Sequence, residues 1–214
     1  MPKPTHTQIE TLLRGLILPL HQIKRDIPLP IGERRWENDA EHSWSTAILA
    51  CSLAPEIDPT LDVGKVCQFA VAHDLLEAYA DDTSPFGSKE KLLSKAQREA
   101  AALESIAKEY AHFSWIIQTV EAYERKDTNE ALFVSAIDKY VPAVYDVIDE
   151  GQLFRERGTT LAEYKQLLAD QRDKVHRHPG VGKYYDEVRA LLEEHPEYFH
   201  PETETGSESN TTTA

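Results

Sequence analysis

The chain has 214 residues, 41% hydrophobic and 28% charged, with a formal net charge of −14. That length supports one domain plus a tail rather than two domains, and the composition excludes global disorder. The negative charge argues against a long nucleic acid as partner, because such binders neutralise phosphates with lysine and arginine. A small phosphate ester bound to so acidic a surface requires a metal or a local basic cluster. No apolar run approaches the roughly 20 residues of a membrane span, and no basic-then-apolar leader opens the chain. A cytoplasmic protein without a membrane partner is therefore expected. Cys51 and Cys67 fall in helical apolar patterns outside any CxxC pair and read as buried free thiols.

β signals are scarce, and apolar residues recur at three- and four-residue spacing, which predicts an all-α helical bundle of roughly eight helices. The first covers about Thr7 to Lys24, bent at Pro19, and the Pro28, Pro30 and Gly32 stretch reads as a loop. A second begins after Asn38 or Asp39 and ends before Pro55. A third runs from about Asp62 to Tyr79 and leaves through Asp81 to Gly87. Further helices are expected at about Lys91 to Tyr110, His112 to Arg125, Asn129 to Asp149, Thr160 to Val175 and Lys183 to Glu194. The bundle is expected over residues 1–198. Residues 199–214 close the chain as an acidic Ser/Thr-rich tail with too few large apolar groups to offset the entropy of ordering.

Three of these helices carry ligand-type side chains on their apolar stripes. Val66, Phe69, Ala70, His73, Glu77 and Ala80 follow one helical face, so a histidine and a carboxylate point inward with the core residues. His42 shares a face with Ser45, Leu49 and Leu53, and Asp138 sits among Val134, Val141 and Tyr145. Pro142 has no amide hydrogen for the Asp138 carbonyl, which allows a bend beside that residue. A lone inward histidine is more often a satisfied core residue than a ligand, and a lone aspartate is often a cap. Three separated inward sites, one an adjacent His73-Asp74 pair, favour a metal. Mixed nitrogen and oxygen donors suit Mn²⁺, Co²⁺, Fe²⁺, Ni²⁺, Mg²⁺ or Zn²⁺, and the absence of a cysteine ligand disfavours a closed structural zinc site.

His42, then His73-Asp74, then Asp138 resemble the H…HD…D signature of the HD-domain metal-dependent phosphohydrolase superfamily. More narrowly, Glu37-Asn38-Asp39-Ala40-Glu41-His42-Ser43-Trp44, the segment His73 to Asp82, and Ala136-Ile137-Asp138-Lys139 are similar to its 5′-deoxynucleotidase branch. The similarity covers about residues 7–150, with the metal-binding core at about 33–150. The resemblance implies one divalent metal ion on His42, His73, Asp74 and Asp138, activating a water that attacks phosphorus in a (deoxy)nucleoside 5′-monophosphate. Glu77 is the implied general acid or base, or else an ion-pair partner of a lysine. Asp82 and Thr83 match positions that orient water or contact substrate, or else serve the turn and the next helix cap. Arg35 is the first candidate to hold the phosphate, with Arg34, Lys89 and Lys139 behind it. The branch carries an Arg-Trp pair well upstream of the first histidine; the stretch near Ile27-Pro28 lacks it, and Arg35-Trp36 lies closer to His42. His112 is the one histidine between the His-Asp pair and Asp138, which favours a single metal. His176 and His178 lie outside the signature and read as surface residues. A phosphodiesterase, a triphosphohydrolase or a non-catalytic regulatory module are the alternatives, and a homodimer is expected from the family.

Overall fold

The computed structural model describes residues 3–81 and 88–202. A capping box between Thr5 and Gln8 starts α1, His6–Leu12. The chain continues through a π-helical turn, Leu13–Ile17, into α2, Leu18–Leu20, and the helix ends there rather than at Lys24. The irregularity lies just before Pro19, whose missing N–H cannot serve the carbonyl four residues back. Gly15 lies in this turn because a side chain there would collide with the Tyr110 hydroxyl.

The expected loop at Pro28 is instead part of a hairpin. Strand β1, Lys24–Leu29, pairs antiparallel with β2, Arg35–Asn38, placing Pro28 opposite Trp36 and Leu29 opposite Arg35. A two-stranded ribbon has only edge strands, so a residue without an amide donor is tolerated. Asn38 then caps α3, Asp39–Ile57, accepting from Glu41 N while the Glu41 side chain accepts from Asn38 N. This helix runs past the expected stop and carries Pro55 in its last turn. Its buried stripe is Asp39, His42, Ser43, Thr46, Ala47, Ala50 and Ala54, leaving Ser45, Leu49 and Leu53 half-buried beside it.

Asp62 caps α4, Val63–Ala72, and the single helix expected to Tyr79 breaks at the His-Asp pair. Residues 73–76 wind more tightly, with Leu75 N bonding Ala72 O and Glu77 N bonding Asp74 O, before α5, Glu77–Ala80. Then follow α6, Lys89–Glu109; α7, Ser114–Arg125; and α8, Asn129–Ile148, which passes through Pro142. The remainder divides more finely than expected into α9, Gln152–Arg157; α10, Leu161–Leu167; α11, Ala169–Val175; and α12, Pro179–Glu194.

The fold is all-α apart from the hairpin. Helices α3, α4 and α8 pack on one another, and α11 and α12 also pack against α8. Ala50, Val66, Phe69, Val134 and Ile137 are buried in the resulting core. A second apolar cluster joins α2, α5, α6 and α7 through Leu20, Ala80, Ile106 and Val120. His178, expected at the surface, is buried: its Nδ1 accepts from Val181 N at the start of α12, and its ring meets Phe133 edge-on. Cys51 is half-buried and Cys67 exposed rather than buried, and both are free. Burial, then the neighbouring Cys67, pushes the Cys51 thiol up to about 11. Phe199 is buried and stacked on Phe154, so ordered packing extends one residue beyond the expected domain end. No described helix is long and apolar enough to cross a membrane.

Candidate metal centre

The three central helices each bring one ligand-type side chain to a common point. His42 comes from the first turn of α3, His73 from the C-terminal end of α4 and Asp138 from the middle of α8. One donor atom from each lies within 4.8 Å of the others, and this is the one such group among the described residues. His42 Nε2 is 3.0 Å from Asp138 Oδ1, and His73 Nε2 is 3.7 Å from the same oxygen.

The two imidazoles are held from behind in the same way. Glu37, fully buried at the end of β2, places Oε2 3.1 Å from His42 Nδ1, and the Ala70 carbonyl lies 2.7 Å from His73 Nδ1. An Nδ1–H donated to each acceptor leaves both Nε2 lone pairs facing Asp138, the arrangement that metal-binding histidines require. His73 Nε2 is buried and makes no well-aligned hydrogen bond, although carboxylate oxygens of Asp74 and Asp138 lie 3.2 and 3.7 Å away.

Charge points the same way. Glu37, Asp39, Asp74 and Asp138 crowd this region, while Arg25 and Lys139 are the cations that pair with them. Two neutral imidazoles cannot offset the remaining negative charge, whereas a divalent cation does. The donor set thus fits a metal of mixed nitrogen and oxygen preference. Without one, protons supply part of the missing positive charge. Burial lowers the His73 ring, but Asp74 and then Asp138 outweigh it and push it up to about 10. Burial likewise raises the Asp138 carboxyl, yet Lys139 and His42 hold it well below its ordinary range.

Asp74 stands at the edge of this group. Its Oδ2 lies 3.2 Å from His73 Nε2 and accepts from Arg25 Nη1 at 2.9 Å. Asp74, Glu77 and Asp138 line one cavity of about 350 Å³, together with Arg25, Lys95 and Lys139. These last three form the local basic cluster that the acidic composition demands. Glu77 is buried with Oε1 3.5 Å from Lys95 Nζ, so its lysine partner and its place on the cavity wall coexist. Burial opposes the Lys95 charge, but Glu77 and Glu99 overcome it and raise its pKa.

Other predicted residues lie elsewhere. Arg35 forms a two-pronged ion pair with Glu41 on the exposed hairpin, Arg34 pairs with Glu156, and neither lines the cavity. Lys89 is exposed at the first turn of α6 and does not line it either. Trp36, beside Arg35 on β2, is exposed. Asp82 and Thr83 lie outside the described residues. His112 faces a separate apolar groove of about 740 Å³ with Trp44 and Trp115, which contains none of the candidate ligands. The roles of Arg25, Glu37 and Lys95 depend on contacts between separate elements, which local periodicity does not mark. Only the segment around Glu37 offers a signal, as a carboxylate one residue before a helix cap.

A family model described as HD domain matches residues 19–178, and the chain belongs to that family. No curated protein matches the chain. Among solved structures, it is similar to a protein from Magnetospirillum magnetotacticum MS-1 described as a predicted metal-dependent phosphohydrolase. The two are 26% identical, with a TM-score of 0.70 over 91% of this chain and 94% of that one. It is also similar to a conserved hypothetical protein from Pyrococcus furiosus, at 28% identity and a TM-score of 0.59 over 86% of this chain and 99% of that one.

Proposed function

We propose that the chain is a metal-dependent phosphomonoesterase that releases phosphate from (deoxy)nucleoside 5′-monophosphates, with His42, His73, Asp74 and Asp138 as metal ligands. The observation that carries this reading is the convergence of two rear-anchored imidazoles and Asp138 beside a cavity walled by Arg25, Lys95 and Lys139. Similarity to the Magnetospirillum protein supports the reaction class. A divalent ion held by these residues would polarise a phosphoryl oxygen and lower the pKa of water.

The protein's own groups supply the rest. Lys95 and Lys139 offer ammonium donors to the phosphoryl oxygens, and Arg25 keeps Asp74 ionised: burial raises that carboxyl, but His73 and then Arg25 hold it below its ordinary range. Glu77, fixed by Lys95, is the group that takes or returns a proton at its carboxylate oxygen. Asp82 and Thr83 retain the water-orienting and substrate-contacting roles that the family resemblance implies, and Arg35 and Lys89 yield phosphate binding to the cavity cations.

Metal-reconstituted protein assayed against nucleoside mono-, di- and triphosphates tests the proposal. Phosphate released from the monophosphates alone is the expected result. Pyrophosphate release from triphosphates, or no turnover at full metal occupancy, would overturn it.

A further inference from the structure

The cavity that holds the candidate site does not end at the metal-binding residues. It continues along α8 through Pro142 and Ala143 to Asp146, and Leu153, Leu168, Gln171, Lys174 and Tyr185 also line it. Asp138, Pro142 and Asp146 succeed one another at four-residue intervals, so they form one row on a helical face. At 1.5 Å per residue, the row places the two carboxylates about 12 Å apart along the axis. Between them the wall is small and apolar.

The far end is polar and under-satisfied. Gln171 Oε1 is buried without a hydrogen-bond partner. The Asp146 side chain forms no hydrogen bond or close ion pair among the described residues; burial, then Asp149, pushes its carboxyl well above its ordinary range, and the more distant charge of Arg157 only partly opposes this. Leaving buried polar groups unpaired is costly, so Asp146 and Gln171, which both line the cavity, call for a ligand that pairs them.

We infer that Asp146 and Gln171 form a recognition subsite for the body of the substrate, selecting a phosphate monoester whose ring carries N–H donors, as a nucleobase does. The inference rests on the phosphomonoesterase reading and adds the residues that choose among substrates. The Asp138 end takes the phosphate, the face of Pro142 and Ala143 takes the sugar and ring, and the acceptors at Asp146 and Gln171 take the ring donors. The approximate length of the row exceeds what a bare sugar phosphate spans.

The test compares binding of the adenosine, cytidine, guanosine and uridine 5′-monophosphates with binding of ribose 5-phosphate, which shares the phosphate but lacks the ring. The metal-loaded full chain is used, with calorimetric Kd, or KM where a compound turns over, as the readout. At least one base-bearing compound is expected to bind tenfold or more tightly than ribose 5-phosphate. Asp146→Leu and Gln171→Leu should remove that preference and leave ribose 5-phosphate within twofold of its original value. Asp146→Asn, which keeps the side-chain volume, should weaken the preference and serves if the leucine variant does not fold. Equal binding of all five compounds to the unmodified protein, or a preference that survives both variants, overturns the subsite. Failure of ribose 5-phosphate and the nucleotides alike to bind overturns the phosphate reading itself, and the subsite with it.

Discussion

Glu37 Oε2 lies 3.1 Å from His42 Nδ1, and both side chains are fully buried. The contact joins the end of the hairpin to the first turn of α3, so the strand carboxylate sets the tautomer and the orientation of the histidine. Support of this kind is worth about 10- to 100-fold in metal affinity. Glu37→Leu is accordingly expected to lower metal affinity by about that factor while helical circular dichroism is retained. Titration of the metal-free protein measures it, and undiminished affinity in the variant would show that His42 is oriented by something else.

Arg25 carries a second load in the same region. Its guanidinium reaches Asp74, Asp39 and Glu37, at 2.9, 3.4 and 3.8 Å, from a largely buried position. Removing one partner of a buried ion pair leaves the others uncompensated, at a cost of about 3–5 kcal/mol. Urea unfolding of metal-free Arg25→Met should show a loss of that order, and adding Asp39→Asn should recover part of it. Independent, additive losses in the double variant would count against a shared charge network.

Much of the centre is legible in the sequence because burial of ligand-type side chains is visible as periodicity. His73 and Glu77 follow Val66, Phe69 and Ala70 on one stripe, and all of these are buried. The stripe on α3 lies one step from the expected one, since Ser45 and Leu49 flank the buried face rather than form it. The hairpin is not legible: Pro28 and Pro30 carry a strong loop signal, and pairing in a two-stranded ribbon depends on a partner strand rather than on local propensity. Arg25 is hidden with it, because only the fold of β1 turns that side chain toward Asp74. Among the lysines, Lys89 and Lys95 are six residues apart on α6, and nothing in local spacing tells which one α5 faces. The structure selects Lys95 through its contact with Glu77.

The raised pKa of His73 makes metal binding depend on pH. In the metal-free protein the ring stays protonated until pH rises toward about 10, whereas a ligand must be neutral. Binding therefore releases a proton, and apparent affinity should rise by up to about tenfold per pH unit below that value. In the metal-free fold the sign is opposite. The elevated pKa adds stability below the ordinary value of 6.5, and that stability is lost as pH rises through about 10. Calorimetry in buffers of different ionisation enthalpy reads the proton release directly. Affinity independent of pH between 6.5 and 9, about the span in which the ring is protonated only because of its fold, would remove His73 from the ligand set.

Glu77 separates catalysis from metal retention. It lines the cavity with Asp74 and Asp138 but belongs to α5, beyond the tightly wound turn, and its charge is met by Lys95 rather than by the histidines. A proton-transfer role at this position is worth about 10²- to 10⁴-fold in rate. Glu77→Gln should therefore keep metal content near that of the unmodified protein and lose kcat by about that factor, with KM changed little. His42→Ala, Asp74→Ala and Asp138→Ala should instead lose the metal, and turnover with it. Metal analysis beside steady-state kinetics on the four variants distinguishes the two classes. Loss of metal from Glu77→Gln would place that carboxylate among the ligands, and unchanged kcat would leave it as the anchor of Lys95 alone.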